Sequence, residues 1–397
     1  MEAAESIKNV AERGERLKGV QFSGVASGIK ASGLDLGLVY FEEPTHVAAL
    51  YTRNKVKAAH ILYNRKTVKG AVRALLVNSG CANACTGIEG VRDFGQIAGP
   101  LSSELGIEKD EILFASTGVI GRRLPVEKII AALPALRKTL REKNIEQFAR
   151  AIMTTDTYPK LVQAIVSGKG GGSIAGVAKG AGMINPLFAT MLSFLFTDCS
   201  VPDAQVKRLI PAMGRESFER ITVDGDTSTN DTVMLFSRES GESLCEMAAF
   251  REKLLGLMKE LSFLIVRDGE GATKVIHIMV AGAQKKEVAE KIARRISVSP
   301  LVKTAFFGCD PNWGRIIAAA GDAGVPIRPE KAEIVMQGET LVRDGVEVPF
   351  SEEHLKKLMD KKEVELLLDL HDGKASYDLY TTDLPFDYIK INASYRT

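Results

Sequence analysis

The side chains of this 397-residue chain that could do covalent chemistry are threonines, not the usual serine, histidine and cysteine sets. They stand as Thr154, Thr155 and Thr157 in TTDTYPK, as Thr117 in STGVIG, and as Thr190 at the head of the apolar run TMLSFLF. A threonine hydroxyl is a weak nucleophile at neutral pH and needs an adjacent base before it can attack a carbonyl. Taken singly, each of these threonines also reads as a β-branched strand residue.

The other chemistries lack their patterns. No GxSxG elbow marks a Ser-His-Asp hydrolase. The five histidines are scattered without HExxH, and Cys81 and Cys85 have no second cysteine pair, so no metal centre is expected. The run DGDTSTND, residues 224–231, begins like a calcium loop but lacks the sixth-position glycine and the twelfth-position glutamate, and reads as a hydrogen-bonded turn. The glycine-rich run SGKGGGSIAGVAKGAG, residues 167–182, matches neither GxGxxG after a strand nor a P-loop. It reads as a flexible connection, as tight backbone packing, or as backbone kept slim beside a reacting centre.

These residues need a scaffold that mixes strands and helices. Strands are expected over residues 73–77, 190–196, 232–236, 275–280, 333–337 and 364–370. Helices are expected over residues 124–143, 145–155, 205–221, 243–264 and 285–296. Long helices between single strands give an α/β or α+β chain with a smaller, strand-rich C-terminal domain, the first boundary falling near 281–286. Residues 180–197 carry no charge, but Gly180, Gly182, Asn185 and Pro186 interrupt them, so we read a loop feeding a buried strand instead of a membrane span.

Composition narrows the class. With 45% apolar and 26% charged residues and a net charge of +2, the chain is an ordinary globular one with no sign of nucleic-acid or membrane binding. Five scattered cysteines favour free thiols in a reducing compartment, and the charged N-terminus, helical in pattern, has no apolar h-region, so a cytoplasmic location is expected.

Several motifs together carry a resemblance. VNSGCANACTG, STGVIGRRLP, TTDTYPK, KGAGMINPLFATMLSF, TVDGDTSTNDT, RDGEGATK, FFGCDPNWGRI and the closing INASYRT occur in this order and cover nearly the whole chain. The sequence resembles the ornithine acetyltransferase family, also called glutamate N-acetyltransferase. Cys81 departs from it, standing where asparagine is usual, as do Leu187 and Phe188 before Ala189 and the segment TTDLPFDY.

The resemblance implies a layered α/β sandwich of the self-processing, N-terminal-threonine kind. It also implies a precursor that cuts itself between Ala189 and Thr190, giving an α chain of residues 1–189 and a β chain of 190–397. The β chain then comprises the rest of the catalytic core, 190–283, and a C-terminal domain, 284–397. The implied activity is acetyl transfer from N2-acetyl-L-ornithine to L-glutamate through an acetyl-Thr190 intermediate, with acetyl-CoA as a further donor in bifunctional members. Thr117 and Gly118 are implied as oxyanion donors, and Thr155, Lys179, Thr190, Glu270, Asn392 and Thr397 as substrate contacts. No cofactor is implied, and the assembly implied is two α and two β chains. The alternative is an N-terminal-threonine aminopeptidase or amidase that passes the acyl group to water.

Charge divides unevenly about the implied cut: residues 1–189 hold 25 basic and 17 acidic side chains, residues 190–397 hold 27 and 33, so +8 faces −6. Such complementarity helps two pieces stay together, although exposed ion pairs contribute only about 0 to 1 kcal/mol each.

Overall fold

The computed structural model describes residues 17–168, 170–185, 191–238 and 245–394. Ala189, Thr190 and Thr397 lie outside the described residues.

Eight strands form the first sheet: β1 (Val20–Val25), β2 (Leu36–Tyr51), β3 (Val72–Cys81), β4 (Ile112–Val119), β5 (Lys160–Val166), β6 (Gly172–Lys179), β7 (Leu192–Ser200) and β8 (Thr232–Arg238). Their order is β4-β3-β2-β8-β7-β6-β5, with β1 also paired to β2. The long β2 changes partner along its length: Leu36–Tyr40 pair with β3 and Thr45–Tyr51 with β8. Glu42, Glu43 and Pro44 fall between, where the pairing breaks, and a proline without an N–H cannot carry a ladder through that point.

Six strands form the second sheet: β9 (Val275–Ala283), β10 (Glu333–Met336), β11 (Glu339–Arg343), β12 (Val346–Glu347), β13 (Glu363–Asp369) and β14 (Ala375–Thr382), in the order β12-β11-β10-β13-β9-β14. The mixed, layered architecture is the α/β class expected from the alternation of elements. All six expected strands and all five expected helices have counterparts, with boundaries moved by a few residues. One helix, expected over residues 243–264, runs Met247–Arg267.

Three hydrophobic cores hold the first sheet in place. On one side Phe22, Phe41, Phe194, Phe196 and Phe236 are buried together, with Phe196 and Phe236 stacked at 5.5 Å and Phe41 and Phe236 at 4.9 Å. Burying each such ring stabilises the fold by about 1.5–3 kcal/mol. Another core fills with residues of β5 to β8 and the helices Asp203–Glu216 and Met247–Arg267. Half of the glycine-rich run is strand β6, where close packing is its use, while Gly182 lies on the wall of the cleft described below. A Cβ on Gly176 would lie 2.6 Å from the Cδ atoms of Leu257 and Leu261, so glycine there leaves room for these side chains of the helix Met247–Arg267 against the sheet.

A buried lysine ties the second unit to the first. Lys303, on the helix Pro300–Phe307, donates from Nζ to the Val223 carbonyl at 2.8 Å, to the Thr382 hydroxyl at 3.1 Å and to the Thr382 carbonyl. Burial pulls its pKa down to about 7. Val223 opens the loop that borders the cleft described next. Among the described residues, no helix is long and apolar enough to cross a membrane.

Candidate active site

A cleft of about 210 Å³ opens where β4 and β6 end and where β7 and β8 begin. Its walls bring together Thr117 and Gly118 from β4, Thr155 from the loop after the helix Ile145–Ala151, Lys179 from β6, Glu270 from the loop after Met247–Arg267, and Asn392 from the helix Phe386–Ser394. These six are the described members of the residue set implied by the family resemblance. Thr190 is bonded to Met191, which also lines the cleft. Thr157 is not on the wall; its hydroxyl and N–H are turned to Asp268.

Gly118 sits where no other residue fits. Its φ is +129°, and a Cβ there would lie 2.4 Å from the Gly80 carbonyl carbon and 2.5 Å from the Cys81 nitrogen. The main chain of β4 is thus pressed against β3 at a register irregularity, beside Thr117 on the cleft wall.

Lys179 is buried, and its Nζ donates to the Thr154 hydroxyl at 2.6 Å and to the Thr117 hydroxyl at 3.4 Å. An ammonium only donates, so Thr117 accepts there and keeps its own proton for another acceptor. Burial lowers the Lys179 pKa, and Asp156, 3.9 Å away, works against that drop. Across the cleft, Glu270 Oε2 accepts from the Asn392 side-chain amide at 2.8 Å, and the Glu270 N–H donates to the Ala181 carbonyl at 2.9 Å.

The run DGDTSTND is a hydrogen-bonded turn, and it also faces the site. Asp224 accepts from the N–H groups of Met183 at 2.6 Å and Ile184 at 2.9 Å and from the Tyr388 hydroxyl at 3.3 Å. Asn230 is anchored by donating to the carbonyls of Ala82 at 2.6 Å and Ser116 at 2.7 Å. Next to it, Asp231 is buried on the cleft wall, and among the described residues its Oδ2 has no hydrogen-bond partner. Burial drives its pKa well above the usual carboxylate range, with the Ser228 hydroxyl and Lys179 opposing.

Sequence reasoning did not single out Asp224, Asn230, Asp231 or Tyr388 as site residues. All lie inside segments already quoted, but nothing in their spacing distinguishes a turn that closes on itself from one that also faces a cleft. Cys81 plays no part in the wall. It is buried, its thiol points to the carbonyls of Arg122 and Arg123, and burial raises its pKa, the setting of an inert thiol. Among the described residues no group of histidine, cysteine and acidic side chains could hold a metal ion.

Comparison with known proteins gives a consistent result. The sequence profile of the ArgJ family matches residues 21–397. A relative from Geobacter sulfurreducens named arginine biosynthesis bifunctional protein ArgJ is 44% identical over 394 residues, covering 96% of this chain and all of its own. One from Methanopyrus kandleri named glutamate N-acetyltransferase is 41% identical over 380 residues, covering 93% of this chain and 97% of its own. A crystal structure of an arginine biosynthesis bifunctional protein from Bacillus halodurans aligns with a TM-score of 0.49 at 38% identity, over 52% of this chain and all of that one.

Proposed function

The chain belongs to the ArgJ family, and from that membership we propose that it is a glutamate N-acetyltransferase of arginine biosynthesis, moving acetyl from N2-acetyl-L-ornithine to L-glutamate. The observation that carries the reading at the level of the site is the convergence of Thr117, Gly118, Thr155, Lys179, Glu270 and Asn392 on one cleft beside Met191. Five separate stretches of sequence supply them.

In this reading the Thr190 hydroxyl first attacks the Ala189 carbonyl. The peptide C–N bond breaks as the ester forms, and water then releases the Ala189 carboxylate. This leaves residues 1–189 and 190–397 as two chains, and it frees an α-amine on the nucleophile itself. An α-amine has an ordinary pKa of about 7.7 to 8.0, close enough to working pH to take the hydroxyl proton.

In turnover that amine accepts the Thr190 proton as Oγ bonds to the acetyl carbon. The Thr117 hydroxyl and the Gly118 N–H donate to the oxyanion. The C–N bond of acetylornithine then breaks, the departing nitrogen takes the proton back, and ornithine leaves an acetyl-threonine ester. Glutamate's amine attacks that ester through the same steps in reverse. Acyl exchange between an amide and an amine leaves oxidation states unchanged. Lys179 pairs with the carboxylate common to both amino acids, while Glu270, oriented by Asn392, faces an ammonium.

Incubating purified protein with acetylornithine and glutamate should give equimolar ornithine and N-acetylglutamate, and intact mass should show a fragment that begins at Thr190. Acetate as the sole acetyl product in the presence of glutamate would instead assign water as the acceptor. Thr190→Ala is expected to stay uncut and inactive. The Geobacter sulfurreducens relative is named bifunctional, and we extend the proposal to acetyl-CoA as a second donor, tested by offering it in place of acetylornithine. We further propose that two copies of each chain assemble, which sedimentation of the cleaved enzyme would measure.

A further inference from the structure

The motif TTDTYPK supplies more to the cleft than Thr155. Asp156 accepts at Oδ1 from Lys160 Nζ at 2.6 Å and from the Gly180 N–H at 2.6 Å, and at Oδ2 from the Thr154 N–H at 3.0 Å. Its Oδ2 also lies 3.9 Å from Lys179 Nζ. On its other side Lys160 donates to Asp268 Oδ2 at 2.6 Å, and Asp268 is held by the Thr157 N–H at 3.0 Å. The Lys160 and Asp156 side chains are fully buried and that of Asp268 is 2% exposed. Charges therefore alternate inward from the cleft: Lys179, Asp156, Lys160, Asp268. TTDTYPK and RDGEGATK, some 110 residues apart, meet in this row, and the second motif also supplies Glu270 to the cleft wall.

A buried ammonium with two hydroxyl partners and no carboxylate nearby would shed its proton, because desolvation disfavours the charged form. A neutral lysine cannot pair with a substrate carboxylate. We propose that Asp156, fixed by Lys160 and Asp268, is the positioning residue that keeps Lys179 charged and pointed into the cleft, and so sets the upper pH limit of substrate binding. The inference rests on the reading of Lys179 as the carboxylate partner.

The pH sense follows from the groups around Lys179. Burial and the charge of Lys160 on β5 lower its pKa, while Asp156, Glu270 and Asp231 raise it. Lys30, in the loop between β1 and β2, also adds like charge. Asp156 itself stays ionised although burial opposes it, because Lys160 and Lys179 hold its carboxyl far below the usual range. Removing the Asp156 charge takes away the strongest attraction on Lys179, so the proton leaves at lower pH.

The test is the pH dependence of KM for glutamate in Asp156→Asn. On the alkaline limb KM should rise about tenfold for each pH unit by which the Lys179 titration point falls, while kcat at saturation stays within about threefold. The alkaline limb of kcat/KM should move to lower pH. Asp268→Asn, at the far end of the row, should move it the same way by less, and it serves where Asp156→Asn fails to accumulate. Lys179→Met supplies the control, since it should raise KM at every pH. If Lys179→Met leaves KM unchanged, the carboxylate reading falls and takes the inference with it. If Lys179→Met raises KM but the alkaline limb stays put in both aspartate variants, only the role given to Asp156 is overturned.

Discussion

At the residue scale, Gly118 is the sharpest constraint on the wall. A side chain there would meet the β3 backbone, and its φ of +129° lies in a region that other residues rarely adopt. Gly118→Ala should therefore fail in the transition state before it fails in binding. Displacing one oxyanion donor typically lowers kcat by about 100-fold to 1,000-fold, and KM for acetylornithine should change little, a split that initial-rate kinetics resolve. The described members of the expected residue set were legible because each sits in a motif long enough to be recognised, and the fold brings them to one cleft. Asp231 and Tyr388 escaped that reading for a physical reason. Burial of a carboxyl and the approach of a C-terminal helix to a loop some 160 residues earlier are properties of tertiary packing, and no local pattern encodes them.

At the element scale, the row through Lys160 joins β5 to the end of the helix Met247–Arg267. Breaking a buried ion pair by removing one partner typically destabilises by about 3–5 kcal/mol. Lys160→Met should do so, because it leaves Asp156 and Asp268 buried and facing each other, and the midpoint of urea unfolding should fall accordingly. Acid should weaken the same row. The folded-state pKa of Asp156 is lowered from its unfolded value near 3.8, so its contribution is fully present above that value and is lost as pH falls below it. Melting followed from about pH 5 to 2 should show a steep loss below about pH 4 that is shallower in Asp156→Asn. Elements with clear periodicity were legible in the sequence, as with the helices Asp203–Glu216 and Lys286–Ser297. β6 was not, because its Gly176 makes room for Leu257 and Leu261, residues of another element.

At the scale of the whole molecule, the proposed cut falls inside a continuous sheet. β6 belongs to residues 1–189 and β7 to 190–397, and they pair antiparallel from Ile174 with Thr197 to Lys179 with Leu192. β2 and β8 are likewise divided between the two pieces, paired from Thr45 with Arg238 to Tyr51 with Thr232. Opposite net charges of +8 and −6 are then a minor contribution to cohesion beside the ladders and the shared phenylalanine core. The cleaved pieces should co-elute from a sizing column in about 1 M salt, where charge is screened beyond about 3 Å, and separate only in denaturant. Separation by salt alone would reverse that ranking.

The strand-swapping course of β2 gives this arrangement a temporal consequence. Its first half completes a sheet region built from residues before 120, while its second half waits for β8, more than 180 residues downstream. A ribosome must therefore release more than half of the chain before β2 is paired along its whole length. The proposed cut, needing the finished cleft, would not run ahead of synthesis, and the ratio of cut to uncut chain would gauge how many molecules have reached the native topology.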